Sequence, residues 1–483
     1  MASRAMLLDD IPASERDRRD RGARGPARPP SLPVIGAACT ALLLAVPAPA
    51  LAQEPPAPAP PPPAEEERST GLPKKGHWTF NLDAGLGGFG FANSLYTDVR
   101  PDPSGNLGDD WAETFVKPAL SARFGAGKSE IYGKLSAVGE RTFAGPPSVV
   151  GEDASSFEIE DGYLGWRSGT ALGGSQNLLD FTVGRAPYTI GHGMLLWDGA
   201  GEGGSRGGYW TNARKAWQFA AVGRARPKHN TIEVFYLDRD DLPEHDTGTR
   251  LWGANYELAL GDKNTFGASY MKFHANHGLE PNRDGMNVYD ARAYTSPLQA
   301  LPGLAFELEY AHEQSGELLK SNAFTAQAGY EMDEVAWKPR LSYRYAYFQG
   351  DDSNTPTNEG FDMLLPGFHD WGTWWQGEIA GEYFISNSNM VSHQVRLHLT
   401  PSASVSGGLI AYLFRLDEPT ALGPHVTSKD VAFELDSYCD WKLNRAFTVS
   451  FVAAFASPQA AVQQAYDRTK SFLYGMVYVA YSY

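Results

Sequence analysis

Three clusters of residues have the types and spacing that chemistry would need. Gly203-Gly204-Ser205-Arg206-Gly207 matches the G-x-S-x-G of a nucleophilic serine, and Gly199, Gly201 and Gly204 match a dinucleotide-binding fingerprint. The first motif works only on a tight strand-to-helix elbow, and the second needs a helix N-terminus for the phosphates. Both fall in a glycine-rich loop with no helical periodicity beside it, so neither reads as a site. His274 and His277 have the H-x-x-H spacing of two zinc ligands but lack a third placed ligand, and read as a solvated loop. The acidic run Asp240, Asp241, Glu244 and Asp246 could gather a divalent cation and also reads first as a solvated loop. The expectation is no catalytic residue, no metal and no cofactor.

The remaining candidates are charged residues spaced for strands. Arg340 and Arg344 lie four apart with Ser342 between them, so a strand of period two points both guanidinia the same way. The same parity places Lys117, Arg123, Lys134, Asp290, Arg292, Glu307, Glu309, Arg396, Glu434 and Asp436 on polar faces. Arg185 conflicts with its neighbours, because Leu179, Phe181 and Val183 put it on an apolar face. Either a bulge at Gly184 turns it to the polar side, or it sits at a rim.

The elements carrying these residues are long alternating strands. Trp78, Phe80, Leu82, Ala84 and Leu86 interleave with Thr79, Asn81, Asp83 and Gly85, and similar blocks recur near 252–258, 304–310 and 447–455. Aromatic residues at 12%, 51 glycines and only 20% charged residues suit strands and tight turns. A net charge of −16 argues against nucleic acid as a partner.

Residues 34–46 form an apolar run too short to span a bilayer, followed by Ala50-Leu51-Ala52. Residues 1–52 therefore read as a cleaved secretory signal, with the true start open because the stretch before the run is long and charged. Residues 53–77, rich in Pro and Glu, read as a periplasmic tether. No later stretch is apolar for long enough to form a spanning helix, and a secreted chain built of such strands crosses a membrane as a closed barrel. The expectation for 78–483 is an all-β fold, a single antiparallel up-and-down transmembrane barrel in the outer membrane of a Gram-negative bacterium. The final YGMVYVAYSY is amphipathic and ends on Tyr483, as an outer-membrane strand recognised by the barrel-assembly machinery does.

Nineteen segments qualify as strands, an odd number that a single-chain bacterial barrel disfavours. Long extracellular loops and short periplasmic turns must alternate, and the series from the two ends meet in register only if 374–386 is not a spanning strand. Residues 350–389 then form one extracellular excursion and about eighteen strands remain. A barrel of that size usually encloses a lumen that admits water and solutes. Within the excursion, Trp371, Trp374 and Trp375 suit either stacking on sugar rings or the headgroup interface.

Lys338 onward (KPRLSYRYAYFQGDD), the loop containing Phe361, Leu364, Leu365 and Pro366, and Ser388-Asn389-Met390 before a strand resemble the alginate export family of outer-membrane barrel porins. Val183-Gly184-Arg185 followed by Gly191, Gly193 and Leu196 resembles it too, and the resemblance runs over 78–483. It implies an eighteen-stranded barrel that passes a polysaccharide or related solute, with luminal arginines contacting carboxylates. The chain departs from a polyuronate channel in one respect: its polar face is balanced in sign where a strongly positive lumen is expected. A channel for a saccharide or other polyhydroxylated or anionic solute is the leading expectation. The others are a general-diffusion porin, a surface adhesin or scaffold, and, last, an outer-membrane hydrolase using Ser205. Expected partners are outer-membrane lipid, lipopolysaccharide and the solute.

Overall fold

A computed structural model describes residues 76–93, 108–146, 153–173, 176–197, 199–200, 203–211, 213–367, 376–467 and 469–483. The proposed signal, nearly all of the tether, and Trp371, Trp374 and Trp375 lie outside the described residues. Eighteen strands follow one another: β1 (His77–Ala92), β2 (Gly108–Ala126), β3 (Ser129–Phe143), β4 (Ala154–Arg167), β5 (Leu179–Arg185) and β6 (Phe219–Ala225). The middle third is β7 (Asn230–Asp238), β8 (Arg250–Ala259), β9 (Thr265–His274), β10 (Asn287–Thr295), β11 (Leu304–Ser315) and β12 (Leu319–Glu331). The last third is β13 (Arg340–Phe348), β14 (Met390–Ser402), β15 (Val405–Leu416), β16 (Asp430–Lys442), β17 (Phe447–Pro458) and β18 (Phe472–Ser482). Each pairs antiparallel with its sequence neighbours. β1 closes the cylinder on β18, from Asp83 opposite Ser482 to Ala92 opposite Leu473. Closure leaves no unpaired sheet edge, as the absence of hydrogen-bonding solvent in a bilayer requires.

Among the described residues of 374–386, which begin at 376, there is no spanning strand but the short helix α1 (Ala380–Tyr383), and a second helix, α2 (Ala460–Tyr466), lies in the last extracellular loop. With both barrel ends periplasmic, two connections break the expected length rule. The β11–β12 connection on the extracellular side is only residues 316–318, and the β4–β5 connection on the periplasmic side runs over 168–178.

The outer face is apolar, with Trp78, Phe80, Leu86, Phe157, Ile159, Leu164, Val234 and Leu341 exposed around the circumference. The inner face has two zones. Toward the periplasm and mid-height it is polar, as alternation predicts. Toward the extracellular end it is apolar: Phe89, Phe91, Trp111, Leu237, Leu251, Phe273, Phe348, Phe414 and Phe472 form one core with Ile190, Met194, Leu196, Trp217, Phe361, Leu364 and Ile379 from the inserted loops. This corrects the expectation of a polar interior throughout, because a period-two pattern cannot show which inward positions will meet a returning loop instead of water.

One irregularity shapes the lumen. Leu135 pairs with Gly162 but Ala137 with Ile159, so two residues of β4, Glu160 and Asp161, oppose the single Ser136. This bulge turns consecutive carboxylates to the same side, and both are buried.

Candidate functional site

The described parts of the loops 186–218 and 349–389 fold back into the barrel instead of projecting from it, and wall carboxylates hold them there by their backbone amides. Glu113 on β2 accepts from the amides of Trp210 and Thr211 at 2.9 Å each. Glu160 on the β4 bulge accepts from Lys215 and Ala216 at 2.7 and 3.0 Å. On the other loop, Glu434 of β16 accepts from Ile379 and Ala380 at 2.8 and 2.6 Å, and Glu313 of β11 from Asp362 at 2.8 Å. An ionised carboxylate accepting two amides forms charge-assisted bonds, stronger than neutral ones.

Basic side chains add a second set of ties. Arg214 is fully buried and reaches Glu140 at 2.8 Å, Glu158 at 3.2 Å and Ser156 at 2.9 Å. Arg283, from the β9–β10 loop, forms a two-pronged pair with Asp362. Burial opposes ionisation of the Asp362 carboxyl, but the Arg283 guanidinium outweighs it and holds the group below the usual carboxylate range.

The two loops also join each other. Trp197 donates to the Leu365 carbonyl at 2.8 Å, Leu365 to Leu195 at 3.0 Å and Gly367 to Gly193 at 3.0 Å, a short parallel ladder inside the lumen. Together they form one partition that narrows the barrel.

The polar zone runs over β10 to β16. Cross-strand register aligns Tyr294, Glu307, Gln327, Arg344, Gln394, Tyr412 and Glu434 in one row. Gln327 donates to Glu307 at 3.0 Å and accepts from Arg344 at 3.0 Å, and Gln394 donates to Tyr412 at 2.8 Å. Toward the periplasm Ser342 faces Arg396 and Arg340 faces His398. Arg396 donates to the Tyr438 hydroxyl at 2.6 and 2.9 Å. Thus Arg340, Arg344 and Arg396 gather on two adjacent strands, with Glu307 3.9 Å from Arg340.

The other predicted luminal residues point inward but serve the wall. Arg123 pairs with Glu130 at 3.1 Å, Lys134 with Asp161 at 3.0 Å and Lys117 with Glu160 at 3.3 Å. Arg292 is buried against Asp290 and Glu257, and Glu309 accepts from Tyr294 at 3.1 Å. Glu434 and Asp436 belong to the loop attachment.

Arg185 turns inward. Its pairing continues without an inserted residue, Tyr163 with Gly184 and Gly162 with Arg185, and the redirection comes from Gly184 at φ 125°. The guanidinium then bonds the Glu160 carbonyl at 2.9 Å and pairs with Asp240. Asp240 also pairs with Arg206 at 3.1 Å and is buried, which corrects the reading of 240–246 as a merely solvated run: its first residue ties the β7–β8 loop to the inserted loop. A Cβ at Gly184 would lie 2.4 Å from the Gly162 carbonyl oxygen. Gly184→Ala is therefore expected to cost about 1–3 kcal/mol, read as a lower urea midpoint in detergent, and an unchanged midpoint would contradict the strain.

Ser205 donates to Glu244 at 2.8 Å from a short 3-10 turn, in no strand-to-helix elbow. His277 lies 3.4 Å from Asp284, and no cluster of three metal-binding side chains occurs among the described residues.

A closed eighteen-stranded antiparallel barrel with an apolar belt and loops folded into its lumen is an outer-membrane channel of the porin type, in the outer membrane of a Gram-negative bacterium. The alginate export family model matches residues 151–475, more than half the chain, and the protein belongs to that family. Solved barrels share the fold at low identity. Acinetobacter baumannii OccAB2 is 10% identical with a TM-score of 0.53, over 84% of this chain and 98% of that one. Pseudomonas aeruginosa OccK5 (OpdH) is 11% identical with a TM-score of 0.51, over 83% and 97%. Pseudomonas aeruginosa OpdQ is 11% identical with a TM-score of 0.52, over 84% and 97%. No curated protein matches the sequence. Family and fold point to a non-enzymatic channel.

Proposed function

We propose that the channel carries an acidic saccharide. The observation supporting this is the cluster of Arg340, Arg344 and Arg396 on β13 and β14, flanked by the amides of Gln327 and Gln394 and the hydroxyls of Ser342 and Tyr412. Guanidinia pair with carboxylates in a fork, and amides and hydroxyls exchange hydrogen bonds with sugar hydroxyls. The mixed sign of the inner wall is less of an obstacle than the sequence suggests, because Glu113, Glu160, Glu313 and Glu434 are engaged by loop amides. The family's printed description, alginate export, agrees with a uronate-bearing solute.

Planar-bilayer recording on the purified full-length protein tests this. Oligouronates are expected to interrupt the ion current at concentrations where neutral oligosaccharides of equal length do not. Arg344→Glu should weaken that block about ten-fold or more, the loss of one charge-assisted contact together with the repulsion that replaces it. Equal block by neutral and acidic sugars would favour a general-diffusion porin, and a folded protein that never conducts would favour a surface scaffold.

A further inference from the structure

A loop side chain, His192, reaches across the lumen to the polar row of the wall. His192 sits at the tip of the inserted loop 186–218 between Gly191 at φ 54° and Gly193 at φ 82°. A Cβ on Gly191 would come within 2.6 Å of the Tyr294 hydroxyl and 2.8 Å of Arg292, so only glycine lets the tip reach the wall there. The His192 amide donates to the Tyr294 hydroxyl oxygen at 3.1 Å, and the imidazole stacks on the Tyr294 ring with centroids 3.8 Å apart and planes 10° from parallel. Its Nδ1 lies 3.2 Å from a Glu307 carboxylate oxygen. About a third of its side-chain surface, 34%, is exposed, and the ring lines a small cleft together with Glu309, Thr325, Gln327 and Arg344.

We propose that His192 determines the charge preference of this channel, acting as a proton-switched cation beside the polar row of β10 to β13. The inference rests on the channel reading but not on the identity of the solute. The charged and titratable groups facing the ring are Asp290, Arg292 and Tyr294 from β10, Glu307 and Glu309 from β11, and Arg340 and Arg344 from β13. The tip of the loop adds no charge besides the imidazole. With the imidazole neutral, Glu307 and Glu309 are balanced in the cleft by Arg344, with Arg340 behind it. Protonation places a second cation in the cleft itself, directly on Glu307, and moves the local balance toward anions. A charge within a few ångströms of a poorly solvated path outweighs more distant charges on the wall. Histidine is the side chain whose charge changes in the range an outer-membrane surface encounters.

The test is the reversal potential of the full-length protein in a planar bilayer under a potassium chloride gradient, at about pH 8 and about pH 5, which bracket the range in which histidine side chains in general change charge. In the wild type the chloride-to-potassium permeability ratio is expected to rise about three-fold or more on acidification, as one added charge in a narrow filter does. His192→Gln removes the imidazole charge and should lose at least half of that rise; what it keeps measures the carboxylates. His192→Lys, charged throughout, should already show at the higher pH the ratio that the wild type reaches only at the lower. A full wild-type rise in His192→Gln, or no rise in the wild type, overturns the role of His192 while leaving the channel standing. Absence of any conductance overturns the channel reading and this inference with it.

Discussion

Replacing Glu434 with alanine is expected to widen the channel, raising single-channel conductance about two-fold or more. The carboxylate of Glu434 receives the amides of Ile379 and Ala380 at 2.8 and 2.6 Å from opposite the loop, where the chain enters α1. Both are buried, so water does not readily replace the lost acceptor. Leaving the two buried amides without an acceptor costs about 1–3 kcal/mol each, enough to shift the docked segment toward a released state. Glu434→Gln keeps one carbonyl oxygen aimed at the amides and should widen the channel less than alanine does. The neighbouring polar contacts, Gln376 with Ser392 at 2.7 Å and the Glu378 amide with Asp436 at 3.3 Å, hold the segment at its near end, while Tyr383 and Phe384 pack on Phe91 and Phe472 of the wall. A conductance for Glu434→Ala equal to that of the wild type would show that the segment stays docked without its anchor, and that the constriction is set elsewhere.

The fold was legible because a transmembrane barrel writes its wall in a pattern of period two. The alternate residues from Trp78 to Leu86, Leu304 to Tyr310 and Phe447 to Phe455 could be placed facing lipid from that alternation, and the structure places them there. The strand count was legible for a different reason. Excluding 374–386 followed from the alternation of connections, a rule about topology that tolerates the two lengths that break it, 168–178 and 316–318. What could not be read is anything that depends on a loop returning. Glu113, Glu160 and Glu313 look like ordinary inward acids, and only the placement of Trp210, Lys215 and Asp362 shows that they hold loops. Asp161 was hidden by the bulge that breaks parity, since strict alternation from Phe157 and Ile159 turns it toward lipid. Arg185 was legible as a conflict but not as a solution, because parity identifies the wrong-facing charge while the dihedral at Gly184 resolves it. His192 had no signal beyond the glycines on either side.

Arg214 should matter more for stability than for conductance. Arg214→Ala is expected to destabilise the barrel by about 3–5 kcal/mol, because it leaves a buried carboxylate without its cation. The guanidinium is fully enclosed between Glu140 at 2.8 Å, Glu158 at 3.2 Å and the Ser156 hydroxyl at 2.9 Å, and Glu140 itself is buried. Lysine is a poor substitute, since one ammonium cannot span three acceptors in a fixed fork, so Arg214→Lys should recover less than half of the loss. The loop around it stays pinned independently: Lys117 donates to the Ala213 carbonyl at 3.0 Å, and Glu160 holds the amides of Lys215 and Ala216. The channel that does fold should therefore conduct nearly as the wild type does, while its urea midpoint in detergent drops. Were the midpoint to fall by less than the equivalent of about 1 kcal/mol, the buried Glu140 carboxyl would have to be carried in its neutral form, and the ion pair would not be what fixes the loop to the wall.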